Sequence, residues 1–170
     1  MRLKHALIGS ILVIILQPFL LSMLPEALAP NLGFCFLVIC AATMKESEAI
    51  VPVSVIMVQS FLIDLFSNQY VGAVAIAMIL VLIGIIVVRN HLDLGNPLYI
   101  AGLVLASNIA YGIIYWAVYR TLGTTYGFLY MLKSLPAGMI VNSVIMFVGL
   151  FLAARRANKL RRESYFDNMK

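Results

Sequence analysis

Six apolar runs follow one another along this chain, separated by short polar interruptions. No other feature constrains the fold as much. A helix needs roughly 20 apolar residues to cross about 30 Å of hydrocarbon, and lipid offers no water to an open backbone, so each crossing must satisfy its own hydrogen bonds. Of the 170 residues, 63% are hydrophobic and 11% charged, with a mean hydropathy of +1.02. Seven acids and twelve bases are too few to clothe a water-soluble domain of this size. The sequence therefore predicts an all-α integral membrane protein, a six-transmembrane-helix bundle forming a single membrane domain over residues 1–170.

The spans are expected at about 6–24, 28–43, 49–66, 70–88, 98–119 and 135–154, with a basic tail over 155–170. Arg2 and Lys4 before the first run, with Ala27-Leu28-Ala29 after it, resemble a signal peptide. The run from Ala6 to Leu24 is too long for a signal core, however, and Pro30 hinders cleavage, so it reads as a retained first span. Pro18 lies inside that span, and Pro52 falls in the first turn of the third, where a missing N–H costs little. Lys45, Glu46 and Glu48 read as a polar loop, and Asn96-Pro97 as an N-cap followed by proline at the first helical position.

Counting bases orients the bundle. With the N-terminus inside, ten bases are cytoplasmic: Arg2, Lys4, Lys45, Arg89 and six in the tail from Arg155 to Lys170. Only two, Arg120 and Lys133, lie outside. Both termini are thus expected in the cytoplasm, and Tyr111, Tyr115, Trp116 and Tyr119 at the outer end of span five read as an interfacial aromatic belt. The net charge of +5 is a topology signal rather than a nucleic-acid face, because no basic surface with interleaved aromatics tracks phosphates. Cys35 and Cys40 lie about 140° apart on a helix and read as small buried hydrophobes. His5 and His91 have no ligand cluster around them, so neither metal nor cofactor is expected. No Walker loop, G-x-S-x-G elbow, H-E-x-x-H or carboxylate pair at helical spacing within a span occurs, and the expectation is a non-enzyme.

Asp64 is the most informative residue, a carboxylate inside an apolar stretch near the outer end of span three. Such a residue either reaches the headgroups or is held by an intramembrane or partner contact. Gln17, Asn108 and Asn142 lie at comparable depth, and with Asp64 they are candidates to line one outward polar cavity; the alternative is that they only join helices. Small residues recur at spacing four in Gly102, Ala106 and Ala110, in Ala73 and Ala77, and in Gly149 and Ala153. Each row is either internal packing or a groove for another protein's helix. Ala6 and Ser10 form a similar surface near the cytoplasm.

Pro30-Asn31-Leu32 opens the short second span, Leu62-Ile63-Asp64-Leu65-Phe66-Ser67 closes the third, and Gly72 leads into an Ala-rich helix. Asn142 in the last span and a basic tail complete a pattern that resembles the MreD family of bacterial rod shape-determining proteins over nearly the whole length. Pro30, Asn31, Asp64 and Gly72 carry the resemblance; Ser54 and Ser60 stand where the family commonly has glycine, and Tyr70-Val71 precedes Gly72 where it often has proline. The resemblance implies a non-enzymatic component of the cell-elongation machinery in the bacterial cytoplasmic (inner) membrane. It would work with an MreC-like single-span partner, beside the actin-like MreB, a RodA-type glycan polymerase and a penicillin-binding transpeptidase. It also implies a fold similar to the substrate-binding subunits of energy-coupling-factor vitamin transporters. Fold analogy supplies the alternative function, a small-molecule binding subunit whose Ala6–Ser10 surface would dock an energising partner.

Overall fold

The computed structural model describes residues 3–24, 30–44, 46–67, 72–89, 91, 94, 96–125, 127 and 138–156. Six α-helices occur among them: α1 (Leu3–Met23), α2 (Leu32–Thr43), α3 (Glu46–Ser67), α4 (Ala73–Arg89), α5 (Pro97–Thr121) and α6 (Gly138–Arg156). Three of them, α1, α5 and α6, are long and apolar enough to cross a membrane. The outward faces are apolar, with Ile8, Ile11, Ile15 and Phe19 exposed on α1 and Ile76, Leu80, Ile83 and Val87 on α4. Water would not tolerate so continuous an apolar surface on a monomer; lipid does.

The short helix α2 sits at the centre. Its 12 residues rise about 18 Å, less than the hydrocarbon layer, and Phe34, Cys35, Leu37, Val38, Cys40 and Ala41 are all buried. It packs on α1, α3 and α4. Phe34 stacks on Tyr111 of α5 with ring centroids 4.4 Å apart. Gly149 of α6 lies so close to Ile39 that a Cβ there would sit 2.5 Å from Cδ1. Gly9 of α1 makes the same approach to the Phe36 ring, also 2.5 Å from an added Cβ. With no side chain at Gly9 and Gly149, neighbouring helices close onto α2. Cys35 and Cys40 are free thiols within this core.

Several sequence expectations shift here. The second helix starts at Leu32, not near residue 28, because Asn31 supplies the cap that defines its first turn. Glu46 and Glu48 belong to α3 rather than to a loop, since the helix begins at Glu46. Pro52 is therefore the seventh residue of that helix, inside it rather than in the first turn, where its lost N–H would have gone to the Glu48 carbonyl. Asn96 caps α5, its side chain accepting the Leu98 N–H at 2.9 Å, with Pro97 at the first position. Lys45, the turns over 25–29 and 68–71, and the tail over 157–170 lie outside the described residues.

Candidate functional site

A helix that begins inside the bundle has a backbone problem at each end. Its first N–H groups and last carbonyls lack intrahelical partners, and within lipid no water replaces them. The N-terminus of α2 lies beside Gln17, six residues before the end of α1, hence about 9 Å below that end. Three N–H groups there find side-chain acceptors. The Asn31 N–H donates to Asn142 Oδ1 at 2.9 Å, the Leu32 N–H to Gln17 Oε1 at 2.6 Å, and the Phe34 N–H to Asn31 Oδ1 at 2.9 Å. Gln17 Nε2 in turn donates to the Pro30 carbonyl at 3.1 Å, and Asn31 Nδ2 to the Tyr111 hydroxyl at 3.3 Å. Gln17, Asn31 and Asn142 are thus a cap assembled from three helices.

The other end of α2 is capped from α4. Arg89 Nη1 donates to the Ala41 carbonyl at 3.3 Å and the Met44 carbonyl at 3.0 Å, placing a cation where the helix dipole is negative. Arg89 therefore closes α2 in addition to its part in the base count. Asp64 does the complementary work at the start of α4. Fully buried, it accepts the Val74 N–H on Oδ2 at 2.8 Å, so a carboxylate faces a helix N-terminus. Gly72 leads into that turn with φ +88°, a backbone region that favours glycine. Burial removes the headgroup-reaching alternative for Asp64.

Asn108 stands apart from this cap. Its Nδ2 donates to the Val104 carbonyl and to Ser143 Oγ, each at 3.1 Å, and so clasps α5 to α6. Of the four residues expected to line one polar cavity only Gln17 does so: it shares a chamber of about 280 Å³ with Asn31, Gln59, Ser60, Tyr111 and Tyr115, and Asp64, Asn108 and Asn142 are not in its wall. Asp64 lies within electrostatic reach of Tyr111 and Tyr115. Tyr111 and Tyr115 face this interior and stack on each other at 5.8 Å, with Tyr119 following at 4.5 Å. Tyr111 and Tyr115 are chamber wall, and spacing four keeps them on the face that Phe34 touches. Gln59, absent from the sequence candidates, was as legible as Gln17, an amide in the middle of an apolar run.

The rows of small residues divide. Ala73 and Ala77 are buried against the bundle, and Gly149 packs on Ile39, so these are internal faces rather than partner faces. Ala6 and Ser10 are buried too. Gly102 and Ala106 are exposed, and nothing lies within 4 Å of a Cβ placed on Gly102 or on Gly84 opposite. They form the rim of an apolar groove of about 480 Å³ between α4 and α5. Its floor is buried Val81, Ile85, Leu103 and Ser107. Leu80, Gly84 and Val88 line one wall at spacing four, and Gly102, Ala106 and Ala110 the other. Two such rows make the kind of groove into which a third helix sets its ridge. No family model, curated protein or solved structure matches the chain.

Proposed function

We propose that this protein is an MreD-like, non-enzymatic component of a bacterial cell-elongation assembly, and that it docks the transmembrane helix of an MreC-like partner in the α4–α5 groove. The groove carries the reading. Its row of small residues, with Gly84 opposite, leaves room for a helix backbone, its lining is mostly apolar, and its floor is buried core. In lipid the hydrophobic effect does not drive helices together, so association depends on such close packing. The Pro30-Asn31 and Asp64…Gly72 signatures support the family: they are the residues that cap α2 and α4 and hold the bundle in one shape. The family reading also brings six membrane crossings, both termini in the cytoplasm, a fold like that of the vitamin-transporter subunits, and RodA-type and penicillin-binding enzymes as further neighbours. The transporter alternative loses support, because Ala6 and Ser10, which it would use for docking, are both buried, Ala6 against Cys40, Met44 and Ala49.

The test is co-purification of the full chain in mild detergent with an MreC-like single-span protein. The wild type should retain the partner. Gly102→Leu combined with Ala106→Leu should fill the groove and lose the partner while keeping a sharp size-exclusion peak. A wild type that captures no such protein, or a folded double variant that still does, would count against the reading.

A further inference from the structure

One side chain belongs to two recesses. Gln59 of α3 forms part of the wall of the polar chamber and also of a separate apolar recess of about 320 Å³ between α1 and α3, bounded by Ile14, Ser54, Val55, Val58 and Leu62. Gln59 is 7% exposed, and its Nε2 donates to the Val13 carbonyl at 3.3 Å. That bond fixes which way the amide faces and leaves Oε1 as the one buried side-chain polar atom, among the described residues, without a hydrogen-bond partner. Buried acceptors are nearly always satisfied, and each exception asks for an explanation. The terminal torsion of a glutamine is broad, so a modest rotation presents Oε1 to an incoming donor.

The two recesses restrict what that donor is. One is apolar and lies between two helices whose outer faces, at Ile11, Ile15 and Val58, are exposed. The other is polar but, among the described residues, neither is lined by a Lys, Arg, Asp or Glu. A phosphate headgroup would therefore enter without a counter-charge, with the Asp64 carboxylate nearby. A neutral head that donates one hydrogen bond meets no such objection. We propose that Gln59 is the acceptor of a lipid site. A neutral amphiphile with a free hydroxyl, of the diacylglycerol class, lays its chain in the α1–α3 recess and donates the hydroxyl to Oε1 at the edge of the chamber. The recess that takes the chain lies between α1 and α3, apart from the α4–α5 groove, and stands independently of any partner there.

The full-length protein in phosphatidylcholine nanodiscs would be offered 1,2-dioleoylglycerol, its 3-O-methyl ether, or dioleoyl phosphatidic acid, and the lipid retained counted by native mass spectrometry. One neutral hydrogen bond corresponds to about a three- to tenfold preference for the free hydroxyl over both comparison lipids. Gln59→Leu should abolish that preference. Ser54→Trp, at an exposed wall position, should lower retention of the diacylglycerol by filling the recess. Equal retention of alcohol and ether, which is the result if water alone satisfies Oε1, overturns the proposal. So does a preference that survives Gln59→Leu. If Gln59→Leu does not fold, unchanged retention by Ser54→Trp overturns it instead.

Discussion

Asp64 and Arg89 are the two charged side chains whose cost in lipid needs the most explanation, and each is bonded to the end of a helix other than its own. The charge is placed where a backbone dipole of opposite sign ends, which offsets part of the desolvation that makes intramembrane charges rare. Asp64→Asn keeps an acceptor for the Val74 N–H and removes the charge, so the loss should be about 0.3–1 kcal/mol, rising toward about 2 at a buried helix end. Asp64→Leu leaves that N–H unsatisfied and should cost about 1–3 kcal/mol. Thermal unfolding in detergent should therefore rank wild type, Asn and Leu in that order; equal midpoints for Asn and Leu would mean that the Val74 bond contributes nothing. Arg89→Leu strips a charged donor from two carbonyls and should cost about 1.5–3 kcal/mol. Arg89→Lys should recover part of this, because an ammonium still donates at that end although its point geometry differs from the guanidinium fork. A Lys variant no better than Leu would rule out capping as the role of Arg89.

At the scale of helices, the same substitution should have opposite consequences at two glycines. A side chain at Gly9 runs into the Phe36 ring, so Gly9→Leu overpacks the α1–α2 contact and should cost about 1–3 kcal/mol or more. At Gly102 there is open space, and replacing a mid-helix glycine by leucine should be neutral or stabilising by up to about 1 kcal/mol. Yields and midpoints of the two single variants compare these directly, and a destabilised Gly102→Leu would place that row inside a packed interface. Spacing four in the sequence marked Gly102, Ala106, Ala73 and Gly149 alike, yet only the first two are exposed. Periodicity tells which residues share a face, not what the face meets; that depends on which helices are neighbours. The helices themselves were legible, because apolar runs of this length have few alternatives in lipid. The start of α2 was not, although Asn31 before an apolar run is an N-cap signal. Its capping by Gln17 and Asn142 joins residues far apart in the chain, and only the assembled bundle brings them together. Asp64 and Gln59 show the same limit: a polar residue in an apolar run announces a need for a partner without naming it.

For the whole molecule, the question is how a bundle with so short a central helix crosses a membrane. α2 accounts for about 18 Å, and α1 continues about 9 Å past the level at which α2 begins. The non-helical Pro30-Asn31 segment makes up part of the difference, and such backbone at that depth is tolerable because protein, not lipid, surrounds it. Pro30 is buried with its carbonyl bonded to Gln17, and the Asn31 N–H is bonded to Asn142. In a six-crossing topology this passage would be a short helix plus a sealed non-helical stretch. On that basis the chain between α2 and α3 should emerge on the side opposite the chain between α1 and α2, and all later connections alternate. The base count places Lys45 and Arg89 with the N-terminus and the tail, and Arg120 on the other side. Reporters fused after Ser47, Asn68, Asn90, Thr125 and Lys170 should read cytoplasm, outside, cytoplasm, outside, cytoplasm. If α2 instead enters and leaves on one side, the first fusion reads outside and every later one inverts, so Lys170 reports outside as well. That single pattern would overturn the six-crossing topology.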